Sequence, residues 1–166
     1  MLILGIDPGI GITGYSFVEF INDKFNVIAS GSIQTDKNAP HPKRLLELKN
    51  DIDYLIKKYN PDCASIEQLF FFKNQKTIIP VAQARGVILL ILEENNIPAY
   101  EYTPLVVKQT ITGHGRADKS SVKMMVKKYI DLDENIKLDD TIDSIALSLC
   151  HVQSQRFKER IKWTNL

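Results

Sequence analysis

Two short apolar runs that each end in an acidic residue constrain the fold of this 166-residue chain more than any other feature. LILGID ends on Asp7, and CASIEQ carries Glu67 near its end. Apolar runs of this length are typical of strands buried in a sheet. A carboxylate at the end of a buried strand is costly to desolvate unless a cation or hydrogen bonds compensate it. We therefore expect both acids to belong to one polar site at the edge of a sheet.

A third acidic stretch, LDDTIDSIALSL, adds further carboxylates. Asp140 and Asp143 are three residues apart, which puts both side chains on one face of a helix. Asp139 directly precedes Asp140, so a pairing of Asp139 with Asp143 is also conceivable. Taken singly, each acid has a structural explanation as a turn residue, a helix cap or a solvated strand end. Together, four converging carboxylates suit Mg²⁺ or Mn²⁺ and the two-metal hydrolysis of phosphodiesters.

The predicted elements indicate an α/β fold with a mixed five-stranded sheet in the order βββαβαβ, flanked by helices. In this order the first strand is usually central and the fourth is its parallel neighbour. Asp7 and Glu67 would then lie side by side at the sheet edge where α/β proteins place their sites. Strands are predicted over 2–7, 14–20, 25–33, 63–68 and 99–102. Helices are predicted over 43–59, over 75–94 with a break or bend at Pro80, over VVKQTI after Thr103-Pro104, and over 118–130. A last helix is predicted from Asp139 or Asp140 to about Gln155. The apolar positions that would hold the last helix on the sheet are Ile142, Ile145, Ala146 and Leu149.

Composition limits the class of protein. With 44% hydrophobic and 25% charged residues, the chain is a folded domain rather than a disordered one. Its net charge is only +1, so a polyanion must be held by a local basic patch. The first apolar run is too short for a signal peptide, and Cys63 and Cys150 read as reduced core thiols, which predicts a cytoplasmic protein. We expect one domain over residues 1–157 and a loosely tied basic tail over 158–166.

Several motifs, in order from residue 2 to about residue 153, resemble RuvC, the family of bacterial Holliday-junction resolvases. They are LGIDPGxxxTGY, IEQ-x-F with KN close behind, QARGV, VKQ, G-x-G-x-A-D-K-S and D-x-x-D-S-I-A. The resemblance implies a ribonuclease H-like fold, a homodimer, and cutting of four-way DNA junctions in recombination and repair. It also implies Mg²⁺, with Mn²⁺ able to substitute, two ions per subunit, and the branch-migration proteins RuvA and RuvB as partners.

The resemblance also assigns roles to single residues. The four catalytic, metal-binding acids fall on Asp7, Glu67, Asp140 and Asp143. The family's D-x-x-D spacing favours Asp140 over Asp139, which would then be a helix cap. Lys119 matches a lysine that acts beside the scissile phosphate, and Lys108 matches another. Phe70 matches a phenylalanine that stacks at the junction point, with Phe71 as the second choice.

A basic stripe is a further candidate for contact with DNA. Lys119, Lys123 and Lys127 recur every four residues, so they share one helix face, with His114 and Arg116 just before them. Contacts of this kind predict binding that weakens steeply with salt. A solvated helix face would show the same pattern.

The segment 78–92, IIPVAQARGVILLIL, is apolar nearly all round. Such a helix is either deeply buried or part of a subunit interface. The resemblance favours a dimer with this helix near the twofold axis, where two active sites would face opposing strands of a junction.

Three other functions compete with junction cutting. A YqgF-type RNA-processing nuclease shares the opening motif but fits QARGV and ADKS poorly. An ATP-binding module of the actin-like kind needs a second phosphate-binding hairpin and a longer chain. A non-catalytic DNA-binding dimer would not need the complete set of acids.

Overall fold

The computed structural model describes residues 1–69, 78–130 and 141–164, the stretch 158–164 by its backbone alone. Its centre is one five-stranded sheet with the spatial order β3-β2-β1-β4-β5. The strands are β1 Leu2–Asp7, β2 Ile12–Ile21, β3 Lys24–Gln34, β4 Cys63–Glu67 and β5 Ala99–Tyr102. This is the predicted mixed sheet.

Strand β1 is central, with β2 antiparallel on one side and β4 parallel on the other. The register pairs Asp7 with Gly14 of β2. It also pairs Ile6 with Ile66 of β4, and Glu67 with Tyr102 of β5. The carboxyl ends of the three parallel strands therefore meet at one edge, as expected from the order of the elements.

The helices form two layers, one on each face of the sheet. They are α1 His41–Tyr59, α2 Ile78–Glu94, α3 Pro104–Thr112, α4 Lys119–Tyr129 and α5 Ile142–Thr164. Helices α1 and α2 pack against the sheet in one hydrophobic core, and α3, α4 and α5 form a second core. No helix in the described ranges is long and apolar enough to cross a membrane.

The last helix was predicted to end near Gln155, and this is wrong: α5 continues to Thr164. One reason is that Arg156 makes contacts beyond the predicted end. Its guanidinium lies 2.9 Å from the Asp23 carboxylate and over the ring of Phe20. These contacts hold the helix against the far end of the sheet. The division into a domain over 1–157 and a tail over 158–166 stays a prediction.

The predicted break at Pro80 is not found, since α2 runs unbroken from Ile78 to Glu94. Pro80 lies in the first turn of the described helix, where its missing N–H removes no bond that the helix needs. Residues 75–77, which were predicted to begin this helix, lie outside the described residues.

Close packing brings α5 down onto the centre of the sheet. A side chain at Gly5 of β1 would clash with the carbonyl oxygen of Ser144, so the strand and the helix backbone touch directly. The Ser65 hydroxyl donates a hydrogen bond of 2.7 Å to the Leu147 carbonyl. The four apolar positions predicted to hold α5 down are all buried: Ile142, Ile145, Ala146 and Leu149. The first turn of α5 is thereby set above the ends of β1 and β4.

Both cysteines are buried free thiols, as expected from their apolar surroundings. Burial is the main cause that raises the pKa of Cys63 to about 11. The thiol therefore stays protonated and unreactive at neutral pH.

Candidate active site

Three of the predicted acids come together at the carboxyl edge of the sheet. Asp7 ends β1, Glu67 ends the adjacent β4, and Asp143 lies in the first turn of α5. The carboxyl groups of Asp7 and Glu67 share a hydrogen bond. The fourth predicted acid, Asp140, and its neighbour Asp139 lie outside the described residues.

Burial and mutual repulsion disfavour the charged forms of these acids. The pKa of Asp7 is raised to about 6, first by burial and then by the negative charge of Asp143. The pKa of Glu67 is raised to about 8 by burial, by Asp7 and by Asp143. The positive charge of Lys119 acts in the opposite direction on both acids. Without a metal, Glu67 therefore holds a proton at neutral pH and donates it in its hydrogen bond to Asp7.

The donor set is that of a hard cation. The clustered groups are carboxylates, which suit Mg²⁺, Mn²⁺ or Ca²⁺ rather than metals that prefer sulfur. Partly buried carboxyls that carry raised pKa values are groups that a cation would stabilise. Within the described ranges, however, no three His, Cys, Asp or Glu side chains are already close enough to enclose an ion. Asp140, the fourth acid of the predicted set, lies outside these ranges.

A pocket of about 200 Å³ opens beside the acids. Its polar lining consists of Glu67, Asp143, Lys108 and Lys119. Its apolar lining consists of Pro104, Val107, Val122, Ala146 and Leu147. The structure thus brings both predicted lysines to the pocket that Glu67 and Asp143 also line.

Helix caps position the two lysines. Thr103 caps α3 by accepting a hydrogen bond of 3.2 Å from the Val106 amide, as the Thr103-Pro104 pair predicted. Asp118 caps α4 by accepting one of 2.7 Å from the Ser121 amide. Lys119 is therefore the first residue of α4, and its Nζ lies 2.9 Å from Oδ2 of Asp143.

The turn between α3 and α4 is fixed by Gln109. Its side chain donates to the Gly113 carbonyl and accepts from the Gly115 amide, both at 2.8 Å. Gly113 adopts the left-handed conformation that glycine tolerates best, with φ of 76°. His114 and Arg116 are exposed on this turn.

The other residues predicted to contact DNA do not line this pocket. Lys123 is partly buried and Lys127 is exposed, and neither lines the space beside the acids. They share the outer face of α4, where their contact with DNA stays a prediction. Phe70 and Phe71 lie outside the described residues.

Sequence reasoning assigned no role to Arg44, which the structure places at the same sheet edge. Its guanidinium donates a hydrogen bond of 3.0 Å to the Ile10 carbonyl, in the turn that follows Asp7. A lone arginine in a helix has no periodic or motif signal, so the sequence alone would not have singled it out.

Comparison with known proteins identifies close relatives. The family model described as RuvC, crossover junction endodeoxyribonuclease, matches residues 3–151. The crossover junction endodeoxyribonuclease RuvC of Caldicellulosiruptor saccharolyticus is 48% identical over 155 residues, which cover 93% of each chain. The protein of the same name from Clostridioides difficile is 46% identical over 98% of this chain and 96% of its own. Thermus thermophilus RuvC in complex with Holliday junction substrate superposes with a TM-score of 0.88, at 28% identity over 95% of this chain and 96% of that one.

Proposed function

The chain belongs to the RuvC family of crossover junction endodeoxyribonucleases, and we propose from that premise that it resolves Holliday junctions by nicking two opposing DNA strands. The observation that carries the proposal is the meeting of Asp7, Glu67 and Asp143 beside a pocket that also holds two lysines. Relatives named as junction endonucleases, and a structural relative bound to a Holliday junction, support the same substrate. We place its action in the cytoplasm, on DNA.

Asp7, Glu67, Asp143 and Asp140 are the proposed ligands of the metal. Nucleases of this family depend on metal ions. We propose Mg²⁺, replaceable by Mn²⁺, with two ions per subunit. The four carboxylates would hold these ions, which would supply activation of the attacking water and stabilisation of the departing 3′ oxygen. The proton that Glu67 shares with Asp7 must leave before both carboxylates can serve as ligands, so binding of the metal releases protons.

Lys119 and Lys108 are proposed to receive the phosphodiester. A fixed ammonium beside the pocket offsets the negative charge that grows on the phosphate during hydrolysis. Lys119 also offsets the charge of the acids, since it lowers the pKa of both Asp7 and Glu67. His114, Arg116, Lys123 and Lys127 would extend the contact along the DNA backbone, and Phe70 or Phe71 would stack at the junction point.

The exposed face of α2 supports a homodimer. The face that α2 turns away from the core carries Ile79, Ala82, Gly86 and Leu90. The two large apolar side chains on this face, Ile79 and Leu90, are 68% and 57% exposed. Exposed apolar surface of this kind marks sites of association between proteins. A second copy packed about a twofold axis would cover this stripe and direct two sites at opposing strands. RuvA and RuvB are proposed as partners on the family relationship alone.

An assay with a labelled synthetic four-way junction and a linear duplex of the same sequence tests the proposal. With Mg²⁺, we expect paired symmetric nicks in the junction and none in the duplex. Asp7→Asn should abolish cutting and leave junction binding largely intact. Asp51→Asn, the same change at an exposed position of α1, should cut normally.

Three outcomes would contradict the proposal. Equal cutting of the duplex would exclude structure-specific cleavage, and cutting by Asp7→Asn at the wild-type rate would refute the site. Preferential cleavage of RNA would favour a YqgF-type nuclease instead.

A further inference from the structure

Arg44 of α1 is fastened to the hairpin turn that follows Asp7. Its Nε donates a hydrogen bond of 2.9 Å to the Thr35 hydroxyl, and its Nη2 donates one of 3.0 Å to the Ile10 carbonyl. Thr35 completes the arrangement, since its hydroxyl also donates to the Ile10 carbonyl and its amide donates to the Gly11 carbonyl. Four hydrogen bonds thus join this turn, the end of β3 and the first turns of α1.

The guanidinium keeps donors for a further partner. A guanidinium has five N–H groups in one plane, and Arg44 uses two of them in these bonds. The other three have no acceptor among the residues that the structure describes. A guanidinium that is already immobilised loses little conformational freedom when it binds an oxyanion, and its planar fork matches a phosphate.

The turn beside Arg44 is open to an approaching group. A Cβ built on Gly11 would have one atom within 4 Å outside its own neighbourhood, Nη2 of Arg44 at 3.8 Å. The backbone N–H groups of Ile10 and Gly11 also lack an acceptor within the described ranges. Consecutive free backbone amides beside a fixed cation are the elements of an anion-binding turn.

Arg44 and Lys119 flank the acids from opposite faces of the sheet. Both lie at the carboxyl edge of β1, but α1 belongs to one hydrophobic layer and α4 to the other. A DNA strand whose scissile phosphate lies at the acids would pass over the sheet edge from Lys119 towards Arg44. Contacts to the phosphates on either side of the reacting phosphate fix the register of a nucleic acid on a protein.

We infer that Arg44 and the turn 8–11 bind a backbone phosphate of the DNA, on the side of the active site opposite Lys119. The inference rests on the proposed function for its substrate. It assigns to Arg44 a binding role rather than a catalytic one, because its guanidinium bonds the Thr35 hydroxyl and the Ile10 carbonyl and none of the acids that the structure describes. Thr35 is the residue that positions it.

Binding of a fluorescent four-way junction without divalent metal tests this contact, with salt varied between about 50 and 200 mM. Loss of one phosphate contact lowers the slope of log K against log salt by about one. We expect Arg44→Gln to lower that slope by about one and to weaken binding about tenfold at the lowest salt. Lys24→Gln is the matched control, since Lys24 begins β3 at the other end of the sheet. It should change neither quantity.

A second variant, Gly11→Ala, keeps the charge of Arg44 and blocks the approach of a phosphate to it. Gly11→Ala fits the turn, since its Cβ would be in ordinary contact with Nη2. The added methyl group should keep a phosphate away from the guanidinium and the amides, and so weaken binding in the same direction as Arg44→Gln. A circular dichroism melt of each variant shows whether the fold is retained.

The outcomes separate this inference from the proposed function. If Arg44→Gln and Gly11→Ala are folded and bind with the wild-type slope and affinity, the inference is wrong. It is also wrong if only the cleavage rate falls, because Arg44 would then hold the turn without contacting DNA. If the wild-type protein shows no preference for the junction, the proposed function fails, and the slopes measured on linear duplex still decide the role of Arg44.

Discussion

Nζ of Lys119 lies 2.9 Å from Oδ2 of Asp143, and this ion pair joins the first residue of α4 to the first turn of α5. The side chains are 69% and 39% exposed, so the pair adds little to the stability of the fold. The ion pair is important because it places the Lys119 ammonium beside the acids. The same group lowers the pKa of both Asp7 and Glu67, and it lines the pocket beside them.

Removal of this ammonium should slow chemistry more than it weakens binding. We expect Lys119→Ala to reduce the single-turnover cleavage rate of a junction by about 100-fold, as loss of one group that stabilises a transition-state charge does. The melting temperature should hardly change. Lys128→Ala removes an exposed lysine from the same helix and should cut at the wild-type rate. Equal losses in the two variants would show that only the overall charge of α4 matters.

The adjacent aspartates before α5 provide a test with its own control. Asp140→Asn should lower the cleavage rate by about 100-fold or more, since a lost ligand removes several kcal/mol of metal-assisted stabilisation. Asp139→Asn is the same chemical change one residue away and should leave the rate near that of the wild type. The reverse result would show that Asp139, rather than Asp140, is paired with Asp143 at the site.

The metal-free protein should lose stability as pH rises. In the folded state the pKa of Asp7 is raised from 3.8 to about 6, and that of Glu67 from 4.5 to about 8. Folding therefore favours the protonated forms. The stability from these protons is complete below about pH 4 and is lost as pH passes through about 6 and then about 8. Melting temperatures in the presence of a chelator should fall across this range.

Two comparisons check the origin of this pH dependence. Glu67→Gln should flatten the upper part of the curve, whereas Glu47→Gln, at an exposed position of α1, should not. Added Mg²⁺ should restore the melting temperature near pH 8, because the cation takes the place of the lost protons. A Glu67→Gln curve that coincides with the wild-type curve would mean that Glu67 does not titrate in this range.

The apolar stripe on α2 predicts how the protein assembles. We expect the wild type to have the mass of a dimer by light scattering, and Leu90→Glu to have the mass of a monomer. The reason is that a charge at the centre of an apolar interface would lose its hydration on assembly. Leu46→Glu is a close control, because Leu46 is 56% exposed and Leu90 is 57% exposed. Dissociation of both variants, or of neither, would exclude α2 as the interface.

The positions of Asp7 and Glu67 were predictable from local pattern. Each follows an apolar run short enough for a strand, and the order of the elements sets the two strands side by side. The predicted break at Pro80 and the predicted early end of α5 were wrong, each for its own reason. Proline is tolerated in a first helical turn, and a polar helix end is stabilised by partners such as Asp23 that are remote in sequence.

By itself, the sequence determined the α/β order, the buried strands and the family, because strand and helix periodicity and motif spacing are local properties of the chain. The tertiary structure alone decided how close α5 packs onto Gly5 and Ser65, that Lys119 meets Asp143, and that Arg44 holds the turn after Asp7. These contacts join residues 24 to 139 positions apart. They depend on how two layers of helices pack against one sheet, which no local pattern encodes.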